Sequence, residues 1–150
     1  MQRIGVHAHM SPAFYREALQ QSGHVSTAGT SVEWSEQLAL AQMDEHGIGG
    51  AVLSISFPGV HYGDDGKARA LARRCNALAA ELAAKHPRRF GGFAVLPLPD
   101  MDGALAELAH ALDTLKLEGV VLLASYEGKF LGDARYEPLL RELDRRKAVA

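Results

Sequence analysis

Four short apolar runs alternate along this chain with segments whose apolar residues recur at helical spacing, and that alternation constrains the fold more than any other feature. The runs are Arg3 to His9, Gly50-Ala51-Val52-Leu53-Ser54-Ile55, Gly92-Phe93-Ala94-Val95-Leu96 and Gly119-Val120-Val121-Leu122-Leu123. Their length and composition predict strands, the last three of the kind buried on both faces of a parallel sheet. Between the first two, Ser35 caps a predicted helix with Glu36 in its first turn and Trp34, Leu38 and Ala41 along one stripe, and Gly47 ends it. Asp64 or Asp65 opens the clearest helix, where Ala68, Leu71, Ala72, Cys75, Leu78, Ala79 and Leu82 recur at steps of three and four until His86-Pro87 stops it. Asp100 or Asp102 opens another, carrying Leu105, Leu108, Ala109, Leu112 and Leu115. Pro138 stands in the first turn of a last helix, with Leu139, Leu140 and Leu143 predicted inward and Arg145 to Lys147 where positive charge suits the helix dipole. Ala148-Val149-Ala150 then reads as a fifth strand beginning. The polar stretch from Met10 to Ser31, which contains His24, shows no period and is expected to be a long irregular connection.

Repeated βα units imply a parallel sheet with helices outside it. Two architectures satisfy that pattern. An open doubly wound sheet normally has a glycine-rich phosphate turn after its first strand, and here that position holds His7-Ala8-His9. The glycines of Gly47-Ile48-Gly49-Gly50 precede a strand instead, so they form a helix stop. A (β/α)8 TIM-type barrel needs about 250 residues. Four βα units and the start of a fifth are therefore expected to be its first half, with no domain boundary inside residues 1–150. Barrel enzymes place their functional groups at the C-terminal strand ends, where His7 and His9 fall.

Side chains two apart on a strand share a face, so Ile4, Val6 and Ala8 form an apolar surface while Gly5, His7 and His9 take the other. Two imidazoles about 6–7 Å apart at Cβ can converge on one metal ion. Seven histidines in 150 residues would give such a pair by chance about 0.3 times, so spacing alone leaves open that the two are unliganded strand residues.

A net charge of −2 in small mixed clusters, with Arg88-Arg89 and Arg145-Arg146-Lys147 the longest basic runs, gives no nucleic-acid footprint. No apolar run approaches the roughly 20 residues needed to span a bilayer, and no basic segment followed by an apolar one marks a signal peptide. The expectation is a cytoplasmic protein without nucleic-acid or membrane partners. Its one cysteine, Cys75, lies on a predicted apolar helix face and reads as a buried small residue.

The His7-Ala8-His9 strand end, Gly47-Ile48 leading into Ala51 to Ser54, and Cys75-Asn76 together resemble the metal-dependent amidohydrolase superfamily. His86-Pro87-Arg88-Arg89-Phe90-Gly91-Gly92-Phe93-Ala94, Leu96-Pro97-Leu98, Gly119-Val120 and the run from Tyr126 to Asp133 with Tyr136-Glu137-Pro138-Leu139 extend the likeness over the whole chain. It is strongest to the branch holding aminocarboxymuconate-semialdehyde decarboxylase and related aromatic-acid decarboxylases.

That resemblance implies His7 and His9 as ligands of a divalent metal, zinc first and manganese second. It also implies further ligands and the catalytic acid after strands that would lie beyond Ala150, so residues 1–150 alone are expected to be inactive. The implied activity is decarboxylation of a small aromatic or unsaturated carboxylic acid by a homodimer. Hydrolysis of a lactone, ester or amide in the same pocket is the alternative reaction, and a non-catalytic half-barrel acting by association is the alternative class. Ser56 and His61 after strand two and Tyr126 after strand four are the candidate substrate-binding residues.

Overall fold

Strand pairing runs in sequence order. The computed structural model describes residues 3–23 and 33–150. Its main sheet has the order β1-β2-β3-β4, all parallel, from β1 (Arg3–His9), β2 (Ile48–Ser54), β3 (Phe90–Val95) and β4 (Gly119–Val121). Between them lie α1 (Ala13–Gln21), α2 (Glu36–Glu45), α3 (Asp65–Lys85) and α4 (Met101–Ala109), and α5 (Glu137–Arg146) follows β4. The expected fifth strand begins as read: Val149 bridges Gly119 in parallel, and Val120 N–H donates to the Val149 carbonyl at 2.9 Å. This is the first half of a β/α barrel. No helix among the described residues is long and apolar enough to cross a membrane.

Three caps stand where the sequence places them. Ser35 accepts from Leu38 N–H, Asp64 from Lys67 N–H and Asp100 from Gly103 N–H, each satisfying a donor that the first helical turn leaves unpaired. The α3 stripe is buried as its period requires, with Ala68, Ala72, Cys75, Ala79 and Leu82 all inward. Gly92 shows how closely this helix lies on β3: a Cβ there would stand 2.9 Å from the Ala79 Cβ and 3.0 Å from Leu117 Cδ2.

Asn76, beside Cys75, is buried among these apolar residues (1% exposed). Its amide Nδ2 donates to the Val95 carbonyl at 3.0 Å and its Oδ1 accepts Val95 N–H at 2.9 Å. The ladder from β3 to β2 stops at Gly92, so the Asn76 amide supplies the donor and acceptor that a neighbouring strand would have given Val95. The same Nδ2 donates to Glu107 Oε1 on α4 at 2.8 Å, and Arg73 Nε donates to Glu107 Oε2 at 2.8 Å. One polar knot thus joins α3, β3 and α4.

Several expectations need correction. The stretch taken as irregular contains α1, whose Tyr15 and Leu19 are four apart and buried; Phe14, Tyr15, Ala18 and Leu19 do recur at helical steps, but over only nine residues at the start of a long polar run. Tyr15 donates its hydroxyl to the Gly59 carbonyl at 2.8 Å, tying α1 to the loop after β2. His24 and the rest of that stretch lie outside the described residues. On α2 it is Met43 that is buried, with Ala39 and Leu40 partly so, whereas Leu38 is exposed. The helix is turned by Glu36, which accepts from Lys85 Nζ at 2.9 Å and pairs with His86 Nε2 at 2.6 Å. Leu140 is also exposed, since α5 buries only Leu139 and Leu143 fully.

The apolar face of β1 is not backed by a helix among the described residues: Ile4 and Val6 are 70% and 64% exposed, because β1 is the edge of this half-sheet. After β4 the chain makes a small hairpin of β5 (Ser125–Tyr126) and β6 (Lys129–Phe130) that was not anticipated. Its turn residues Glu127 and Gly128 have φ of 49° and 74°, the paired positive values of a tight type I′ hairpin turn.

Candidate metal centre

β1 and β2 are in register at their C-terminal ends, with His9 opposite Ser54 and Ala8 opposite Leu53. That register sets a small buried hydroxyl beside an imidazole. Ser54 is 4% exposed, and its Oγ stands 2.9 Å from His9 Nδ1 and 3.4 Å from the Ala8 carbonyl. His9 Nε2 stands 3.0 Å from His7 Nε2, the two rings meeting edge to face at a centroid distance of 4.5 Å. Burial, and then the neighbouring His7, hold His9 below the usual histidine pKa, partly offset by a hydrogen bond to the Ser54 backbone. The cause of the shift favours neutral imidazole, which is the form that binds metals.

The donor set fits a divalent ion. Two nitrogens each about 2.0–2.1 Å from one ion stand about 3 Å apart when the angle between them is near 90–100°, and the Nε2 pair is separated by 3.0 Å. Only two candidate ligands converge, however. Among the described residues no group of three or more His, Cys, Asp or Glu side chains is placed to hold an ion.

The three candidate substrate-binding residues do not join this pair. Ser56 uses its backbone carbonyl to accept Gly59 N–H at 2.9 Å, closing the turn after β2. His61 has both ring nitrogens engaged, Nε2 with Asp65 Oδ1 at 2.8 Å and Nδ1 with Gly63 N–H at 3.4 Å, so it braces the start of α3. Tyr126 accepts Leu123 N–H on its hydroxyl at 2.9 Å and packs at 6.1 Å from the Tyr136 ring. Tyr126→Phe is expected to cost about 1 kcal/mol by stranding that N–H, readable as a lower midpoint in urea unfolding. A groove of about 640 Å³ lies between α1 and α3, with Phe14, Glu17, Tyr62, Lys67 and Arg74 in its wall, and neither His7 nor His9 lines it.

Ser54 is the residue that sequence reasoning passed over. It is the one hydroxyl in an otherwise apolar or glycine strand, but its partner depends on the register between two strands some 45 positions apart.

Residues 4–150 match the family model described as Amidohydrolase. The chain belongs to this amidohydrolase family. It is 39% identical over 155 aligned residues to decarboxylase yanB of Aspergillus niger, covering 99% of this chain and 42% of that protein. A crystal structure of an amidohydrolase II superposes with a TM-score of 0.91 at 32% identity, over 98% of this chain and 48% of the other. A dihydroxybenzoic acid decarboxylase from Polaromonas, solved with manganese and the inhibitor 2-nitroresorcinol, superposes with a TM-score of 0.78 at 26% identity, over 98% and 47% of the two chains. The chain therefore spans about half the length of the relatives it matches and corresponds to the amino-terminal half of this amidohydrolase fold.

Proposed function

We propose that this chain supplies the first half of a metal-dependent decarboxylase acting on a small aromatic carboxylic acid, with His7 and His9 as two of the metal ligands. The observation that carries the reading is the convergence of the two Nε2 atoms, 3.0 Å apart, at the C-terminal end of β1. Barrel enzymes build their sites at that end. The named activity of the Aspergillus relative, and of the Polaromonas enzyme that holds manganese, favours decarboxylation over hydrolysis and a divalent ion such as manganese or zinc. Imidazole donors accept either metal, and the choice rests on ligands outside this chain.

When bound, the ion would anchor the substrate carboxylate or an adjacent hydroxyl and draw negative charge toward itself. The chain's own residues do the holding. His7 and His9 bring their Nε2 atoms together at the C-terminal end of β1, and Ser54 fixes the second ring. Ser56, His61 and Tyr126 follow the C-terminal ends of β2 and β4, where a substrate wall would stand, and that role is part of the proposal; their contacts in this structure are the ones given above. Loss of CO2 leaves an electron pair on the ring carbon, which must take a proton there. We assign that acid, and the remaining ligands, to the part of the longer protein that follows residue 150. A homodimer in the cytoplasm belongs to the same reading and rests on the family resemblance alone.

The natural full-length protein, loaded with Mn2+ or Zn2+, is expected to release CO2 stoichiometrically from at least one member of a panel of hydroxybenzoates. Turnover of a lactone or amide panel with no CO2 from any aromatic acid would replace decarboxylation by hydrolysis. Residues 1–150 alone are expected to release none.

A further inference from the structure

The contacts around Ser54 bear on which nitrogen of His9 carries its proton. A hydroxyl has one hydrogen to give. The Ser54 hydroxyl lies within reach of two groups, the Ala8 carbonyl at 3.4 Å and His9 Nδ1 at 2.9 Å. A carbonyl oxygen can only accept; when the Ser54 hydrogen is turned toward Ala8, the Oγ lone pair faces His9. Nδ1 is then the N–H, the arrangement that a metal bond at Nε2 requires of a neutral imidazole. Its partner nitrogen, Nε2, is bare and points at His7.

We infer that Ser54 is a positioning residue that holds His9 in the Nδ1–H tautomer and so keeps Nε2 ready as a metal donor. Metal-binding histidines commonly have the other ring nitrogen fixed by an outer partner, which sets both tautomer and ring angle. Here that partner is buried on the adjacent strand, at the position opposite His9 in the parallel ladder. Ser54 is itself braced from below: its backbone carbonyl accepts Met10 N–H at 2.9 Å, so the strand carrying the hydroxyl and the strand carrying the imidazole are tied on both sides of the contact. The inference rests on the metal reading of His7 and His9.

The test is long-range 1H–15N spectroscopy of the natural full-length protein labelled at histidine nitrogen, metal-free and at a pH where imidazoles are neutral, with His9→Asn to identify the His9 signals. The expected wild-type spectrum shows His9 protonated at Nδ1. Ser54→Ala should move His9 toward Nε2–H and weaken Zn2+ binding, followed by calorimetry, by about 10- to 100-fold. Ser54→Thr, which keeps the hydroxyl, should restore both. A wild-type His9 protonated at Nε2, or a tautomer unchanged in Ser54→Ala, overturns the role given to Ser54 even if Zn2+ binds. An Nδ1–H tautomer in a protein that binds no Zn2+ overturns the metal reading instead, and the spectrum separates the two failures.

Discussion

Replacing His7 and His9 together with alanine is expected to empty the full-length protein of divalent metal and to lower CO2 release from its aromatic substrate by about a thousandfold or more. Each imidazole contributes one of few protein ligands, and a catalytic ion that loses two of its protein donors has too few left to compete with bulk water. A thousandfold loss corresponds to about 4 kcal/mol of transition-state stabilisation, which is well within what a metal supplies by holding charge. The fold should barely respond. The main contact that His9 makes within the sheet is its hydrogen bond to Ser54, worth about 1 kcal/mol, and His7 bonds only to His9. Elemental analysis of the purified variant, a CO2 assay and a thermal melt read the three quantities separately. Unchanged metal content with an intact melt would mean that the ligands lie elsewhere.

Asn76→Ala is expected to have the largest effect on stability, about 3–5 kcal/mol. The amide makes three hydrogen bonds in a buried setting, two to Val95 and one to Glu107. Removing it strands the Val95 N–H and carbonyl and takes a donor from a carboxylate that is 4% exposed. Buried groups left without partners cost about 1–3 kcal/mol each, more when charged. Urea unfolding gives the magnitude, and a double-mutant cycle with Glu107→Gln tests the network itself. The two changes should combine by less than their sum, because each removes part of the same knot. Strict additivity would mean that Asn76 and Glu107 act independently.

Much of the fold was legible because its signals are local. The α3 stripe, the caps at Ser35, Asp64 and Asp100, and the Pro138 helix start each depend on neighbours within a few positions, and each stands where expected. What was hidden depends on pairing across the chain. α1 is only nine residues long, so its apolar pairs Phe14/Ala18 and Tyr15/Leu19 give a short signal at the head of a polar stretch. The orientation of α2 comes from Glu36 meeting Lys85 and His86, about 50 positions away. The His7 and His9 pair was readable from strand alternation, whereas Ser54 was not, because parallel register is not written in either strand alone.

The sequential order of the sheet has a consequence for how the chain is made. Every main-sheet strand pairs with the one synthesised just before it, from β1 through β4 to the first residues of the next strand at Val149. Each closure therefore spans one βα unit, and loop-closure entropy grows only slowly with such spans. Emerging from the ribosome, the polypeptide can add one unit at a time, and the two histidines can be oriented as soon as β2 docks. A nascent chain would then carry the first corner of the proposed metal site long before translation reaches β4.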